Sequence, residues 1–335
     1  MLDDKKTVLV TGGAGFLGSF LCERLLKDAR VICIDDFSTA VQSNINHLLQ
    51  NPDFEFIKAD INEPIDLEAM PELARFQLGV FGVQEIYNLA CPNTHDDFDR
   101  LRQKTLLANS FGVKNMLDLA VKYRAKFFQA SSSIVYGQYP EGVTELREDT
   151  LWEIKHTEAR ACYDEGKRFA ETVCSTYRDV YGLDIKIGRL FWLYGPRQSL
   201  RDGHLVQDFI IKAIEGGDLT IYGDENTSVA MLYVTDAVSA MVELMDSDVQ
   251  EPVNIGSNQS VRIKDIAEKI IELVGNEKAV VEYRPAAGHN QVKALPNLDK
   301  ISSVGWAPVV TLENGLKKTI EYVVAHKDII GPYFG

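Results

Sequence analysis

Short runs of consecutive apolar and β-branched residues alternate along the first half of the chain with longer segments whose apolar positions recur every three or four residues. The runs are Thr7–Val10, Val31–Ile34, Phe54–Lys58, Glu85–Leu89, Phe127–Ala130 and Ile185–Leu190. The longer segments include Leu101–Tyr123 and Glu158–Tyr181. Short continuous apolar runs predict strands buried on both faces, and the amphipathic segments predict helices that lie across them. Alternation of the two predicts βαβ units and an α/β fold with a doubly wound parallel sheet over residues 1–188. Beyond Gly195 the texture changes, with Gly216-Gly217, Tyr222-Gly223-Asp224, Glu251-Pro252 and Arg284-Pro285 punctuating shorter elements. This predicts a smaller mixed α/β lobe over residues 189–335, suited to covering a ligand and packing partly back on the first domain.

The first predicted strand runs into Thr11-Gly12-Gly13-Ala14-Gly15-Phe16-Leu17-Gly18, which then opens a helix. Glycines at 12, 15 and 18 stand where a side chain would obstruct the turn, a pyrophosphate or the helix–sheet contact. The free N–H groups and positive dipole of the helix start suit cofactor phosphates. Strand, glycines, helix, second strand and terminal acid in that order predict a Rossmann-type site for NAD. Asp35 ends the second strand at about the 20-residue spacing from which an acid reaches the ribose hydroxyls, and it would repel the extra phosphate of NADP. Asp36 either shares that role or is simply solvated. Asp60, after the third strand, either meets the adenine or caps a helix.

In the run Arg160-Ala161-Cys162-Tyr163-Asp164-Glu165-Gly166-Lys167, Tyr163 and Lys167 lie one helical turn apart and share a face. An ammonium there would stabilise a phenolate and lower the tyrosine pKa from about 10 toward working pH. A tyrosine so tuned takes a proton from a sugar hydroxyl while the carbon beneath gives hydride to a nicotinamide. An amphipathic helix also produces Tyr-x-x-x-Lys by chance, so the pair carries weight only beside the glycine turn.

The 335 residues carry a formal net charge of −14, which disfavours nucleic acid and anionic membranes as partners and leaves phosphate groups to local cations and backbone amides. Five cysteines without a Cys-x-x-Cys spacing read as reduced packing thiols, and no metal is expected. Met1 to Lys6 is charged rather than apolar and no run reaches spanning length, so a cytoplasmic protein is expected.

Together these residues resemble the extended short-chain dehydrogenase/reductase family of nucleotide-sugar epimerases, dehydratases and decarboxylases. The likeness runs from Val8 to about Val323 through Thr11–Gly18, Asp35–Thr39, Asn88–Ala90, Asn109 with Gly112 and Asn115, Ser131–Ser133, Tyr163/Lys167, Tyr194–Arg197, Tyr222–Asp224 and Tyr233–Asp236. Leu89–Pro92, Arg160–Glu171 and Asp202–His204 look most like its UDP-glucuronate decarboxylase branch. The resemblance implies Ser132 as hydrogen-bond partner of the reacting hydroxyl, Tyr163 as base, and Lys167 on the nicotinamide ribose. It adds Phe16, Leu17, Ile61, Leu89, Ala90 and Asn109 to the cofactor wall, and it implies a homodimer through the two long helices.

The departures fall on the substrate half. Where decarboxylases and 4,6-dehydratases of the family carry Glu, this chain has Ile134; a usual Arg is Val229, a usual Asn is Trp192, and near Pro296 the nearest cation is Lys293. Trp192 either stacks on a ring or fills core. Ser133, Arg160, Arg197, Arg201, His204, His289 and Tyr222 are candidate substrate contacts, each with a solvated or packing role as the alternative. The resulting expectation is transient oxidation of a nucleotide sugar to a keto-sugar, with epimerisation ahead of UDP-glucuronate decarboxylation because Ile134 cannot move a proton. A non-catalytic NAD-binding regulator is the reading from another class, and the intact Ser132, Tyr163 and Lys167 speak against it.

Overall fold

Every residue from Thr7 to Thr11 is buried in the first strand, β1 (Lys6–Thr11), as happens when a strand has neighbours on both edges and layers on both faces. The structure is a computed structural model that describes residues 5–93, 100–200, 203–276, 278–285 and 294–326. On one side β1 pairs with β2 (Ala29–Asp35), and β2 with β3 (Phe54–Lys58). On the other side come β4 (Glu85–Asn88), β5 (Lys126–Ser132), β6 (Ile185–Leu190) and β7 (Val253–Ile255). The order is β7-β6-β5-β4-β1-β2-β3 and every pairing is parallel, so the expected doubly wound sheet is present. Strand order reverses between β1 and β4, which opens a crevice at their carboxyl ends.

Helices cover both faces. On one, α1 (Phe16–Leu25) and α6 (Val234–Asp246) share a core with Val8, Val31, Tyr87 and Phe128. On the other, α3 (Val113–Tyr123) and α4 (Ala161–Tyr181) bury Met116, Leu117, Ala170 and Cys174 against Leu9, Ile86 and Phe127. Beyond residue 188 the chain therefore divides. The segment holding α6 and β7 returns to the sheet, whereas α5 (Leu205–Glu215), α7 (Ile263–Val274) and α8 (Leu312–His326) gather around a separate core of Tyr194, Phe209, Ile221, Ile266 and Leu316.

Two helices differ from expectation. Leu101–Tyr123 is not one regular helix: α2 (Arg102–Leu107) passes through a π-bulge at Ala108–Gly112 before α3 begins. The Asn109 amide donates back to the Thr105 carbonyl at 2.9 Å, a side-chain competitor of the kind that widens a helix. Gly166 of α4 faces this bulge, and a Cβ there would lie 3.1 Å from Asn109 Cβ, so the bulge and α4 meet at van der Waals limits. The second helix, expected from Glu158, starts at Ala161 and ends at Tyr181, capped by Gly182, whose φ of 66° suits glycine. Among the described residues, no helix is long and apolar enough to cross a membrane.

Candidate active site

The crevice between β1 and β4 opens into a cleft of about 900 Å³ that runs from the glycine turn to the substrate-side lobe. A Cβ on Gly12 would stand 2.8 Å from Ala90 N, and one on Gly18 only 2.1 Å from Gly12 O, so neither position admits a side chain. The turn is held from below: Thr11 Oγ1 donates to Asn88 Oδ1 at 2.7 Å, and Asn88 Nδ2 donates to Gln129 Oε1 at 2.9 Å, joining the ends of β1, β4 and β5. Gly12, Gly15, Phe16, Leu17 and Gly18 line the cleft. The first turn of α1 has neither a capping side chain nor an acid, which leaves its N–H groups to a phosphate. This turn fits the pyrophosphate of NAD.

Asp35, Asp36, Asp60, Ile61, Leu89 and Ala90 line the same end of the cleft. Asp35 is also part of the turn's scaffold, accepting from Ala14 N at 3.1 Å and Phe37 N at 2.9 Å. Burial raises its pKa, with those two donors in opposition. Neither reading of Asp36 made from the sequence describes it fully, because it forms a short contact with the Lys104 ammonium. Burial acts upward on Asp36, yet Lys104 and Ser38 hold it below the usual carboxylate range. Lys104 also reaches Asp60 at 2.8 Å, so one cation from α2 bridges the ends of β2 and β3. Nothing in the local pattern around Lys104 signals this, because its partners lie far away in the chain. Asn109 sits behind the cleft, with its amide on Thr105 O and, at 3.1 Å, on Cys91 Sγ.

At the other end of the cofactor wall, Ser132 ends β5, and Tyr163 and Lys167 project from the first two turns of α4 into the cleft. Ser132 hydrogen-bonds Tyr163 and favours its phenolate form. Lys167 is nearly fully buried, donates to Ala130 O at 2.9 Å, and lies 5.7 Å from the Tyr163 ring centre. The expected lowering of the tyrosine pKa is not what this arrangement does. Burial pushes Tyr163 well up, the neighbouring Cys91 adds to the rise, and Ser132 and Arg160 oppose it. Lys167 spends a hydrogen bond on the strand and is not among the main influences on the Tyr163 hydroxyl. Difference titration of tyrosinate absorbance between the ligand-free protein and its Tyr163→Phe variant should therefore show no Tyr163 ionisation at about pH 10, where a free tyrosine is half ionised. A half-titrated signal by pH 9 would contradict the burial argument.

The substrate-side candidates separate. Arg160, Trp192, Arg197 and His204 line the cleft, and Trp192 is 39% exposed within it. Arg160 pairs with Asp164 at 3.0 Å. Arg197 is a clamp between lobes, since it donates to Glu23 at 2.7 Å and lies over the Phe20 ring at 4.4 Å. Tyr222 does not join them: it ends the strand Leu219–Tyr222 at 60% exposure and is not part of the cleft wall. Ser133 turns away into the short helical turn that follows β5 and is also absent from the wall. Val229 is buried in the lobe's core, so that position presents no group to a ligand. Ile134 packs with Cys162 against the Tyr163 ring. Arg201, His289 and Lys293 lie outside the described residues. Sequence reasoning missed Tyr322 and His326, which α8 brings to the cleft mouth from the end of the chain.

Residues 8–256 match the model of the NAD dependent epimerase/dehydratase family. UDP-glucuronic acid decarboxylase 1 of Danio rerio is 37% identical over 95% of this chain and 73% of its own length. Its counterpart in Xenopus tropicalis is 38% identical over 95% and 72%. Among solved structures, UDP-glucuronic acid 4-epimerase from Bacillus cereus in complex with NAD superposes with a TM-score of 0.78 at 27% identity, covering 95% of this chain and 99% of that one.

Proposed function

The chain belongs to the NAD dependent epimerase/dehydratase family and uses NAD, and from that premise we propose that it oxidises the C4 hydroxyl of a UDP-hexuronate and releases its carboxyl group as carbon dioxide. The observation that carries the chemistry is the convergence of Ser132, Tyr163 and Lys167 on one cleft with the glycine turn. Bound there, NAD supplies the hydride acceptor and donor. Tyr163 takes the hydroxyl proton, Ser132 holds the oxygen that becomes the ketone, and Lys167 fixes α4 to the end of β5 and meets the cofactor ribose. In the 4-keto acid the carboxylate is β to a carbonyl, so its C–C bond breaks with the electron pair moving toward the ketone oxygen. C5 then gains a proton from solvent, and the proton held by Tyr163 goes back to the C4 oxygen when the ketone is reduced. No dedicated acid is needed for the cleavage. The apolar setting that Ile134 and Cys162 create around Tyr163 also suits a step that disperses charge.

Decarboxylation stands ahead of the epimerisation that Ile134 alone favoured because the curated relatives named above share that activity over most of this chain. Epimerisation at C4 is the second reading, favoured by the absence of a proton-moving group at Ile134. Incubation of the protein with NAD and UDP-glucuronate, followed by NMR, separates the two. The expected result is carbon dioxide and a UDP-pentose. A UDP-hexuronate inverted at C4 would install the epimerase, and inertness toward UDP-glucuronate with turnover of a nucleotide sugar that lacks the carboxylate would exclude both uronate reactions.

A homodimer in the cytoplasm completes the reading. Leu106, Phe111 and Phe169 are about half exposed on α2, the π-bulge and α4, an apolar face suited to a second copy. All five cysteines are unpaired, as in a reducing compartment.

A further inference from the structure

We propose that Lys104 decides the choice between NAD and NADP: Asp36 and Asp60 hold its ammonium, and without them it would bind the 2′-phosphate of NADP. The inference rests on the placement of the adenosine ribose beside Asp35 and Asp36, and the experiment tests that placement separately. Three carboxylates line this end of the cleft, and they are not equivalent. Asp35 is the most enclosed and has both oxygens committed to backbone amides of the glycine turn and the β2 loop. Asp36 and Asp60 instead converge on Lys104, whose side chain keeps 28% of its exposure. On that placement the ammonium, already neutralised by two partners, is the cation that a phosphate on the 2′ oxygen would meet.

Two consequences follow. NADP is disfavoured by the net negative charge of the cluster and also because the cation that could receive its phosphate is occupied. Removing Asp36 has two effects, less repulsion and a released cation, whereas removing Asp36 and Lys104 together has only the first. The difference between those variants isolates the role of Lys104.

The experiment is titration of NAD and NADP into the full chain and its Asp36→Asn, Asp36→Asn/Asp60→Asn, Lys104→Met and Asp36→Asn/Lys104→Met variants, with thermal unfolding as the check on folding. Asp36→Asn should tighten NADP by about 10- to 100-fold, the scale of one charge-assisted hydrogen bond. Asp60→Asn should add to that gain. The gain should fall to the smaller part that relieved repulsion supplies in Asp36→Asn/Lys104→Met, and shrink in about 1 M salt, where screening reaches within about 3 Å. An equal gain with Met at position 104 would overturn the proposal and leave carboxylate repulsion as the whole cause. If every variant folds and none changes the affinity for either cofactor, the adenosine placement itself is wrong, and the proposal falls with it.

Discussion

Tyr163→Phe should lower turnover by about 10²- to 10⁴-fold, the usual cost of losing a general base, while NAD binding persists. The ring of Tyr163 packs with Cys162, Cys91 and Ile134, and phenylalanine keeps those contacts. Only the hydroxyl beside Ser132 is lost. Burial raises the pKa of the free hydroxyl, so in the proposed reaction Tyr163 acts as a base only when oppositely charged or donating groups come to it, and the variant removes that hydroxyl. Steady-state rates with the productive nucleotide sugar, alongside calorimetric NAD titration, give the two readouts. Lys167→Met should impair both, since Lys167 ties α4 to Ala130 and reaches the cofactor wall. A Tyr163→Phe protein turning over at near-normal rate would remove the tyrosine from the mechanism.

Glu171→Ala should destabilise the protein by about 3 to 5 kcal/mol, the penalty for stripping the partner from a buried charge. Glu171 stands one turn beyond Lys167 on α4 and accepts from Arg189 Nε at 3.0 Å and Nη2 at 2.8 Å, and from Ser131 Oγ at 2.5 Å. Arg189 is 4% exposed on β6 and also lies over the Tyr136 ring at 5.0 Å. The network fastens α4 to β5, which ends at Ser132, and to β6, so it secures the position of Tyr163 beside Ser132 as well as the core. Chemical denaturation of the variant measures the loss. Glu171→Leu with Arg189→Met should recover most of it, because the penalty comes from the unpaired guanidinium rather than from the pair's own worth. A loss below about 1 kcal/mol, within the range of an exposed ion pair, would mean that Arg189 finds another partner.

The glycine turn was legible because its demand is local. Glycines spaced from the end of a strand into the first turn of a helix are a local pattern, and part of their demand is local too, such as the approach of Gly15 and Gly18 to Gly12 O. Tyr163 and Lys167 were legible for the same reason, since one helical turn suffices to place them on one face. Their electrostatics were not. The rise at Tyr163 comes from burial and from Cys91, and the attention of Lys167 goes to Ala130, all contacts made between elements. Strand β7 escaped the hydrophobic pattern because three residues between Pro252 and Gly256 carry too little periodicity to signal a strand. The π-bulge escaped it because Asn109 competes for a backbone carbonyl in a helix whose apolar spacing is otherwise regular.

By itself the sequence determined the α/β class, the parallel sheet, the dinucleotide turn and the shared helix face of Tyr163 and Lys167, because each follows from a period or spacing that neighbouring residues satisfy. Tertiary structure alone decided which polar groups meet. Lys104 finds Asp36 and Asp60, Arg197 finds Glu23, and Glu171 finds Arg189 and Ser131. It also withdrew Tyr222 from the ligand to the surface and set Val229 in the core. The physical reason is range. Backbone sterics and side-chain periodicity act over a few residues, whereas burial and charge pairing depend on where the packed layers bring distant segments together.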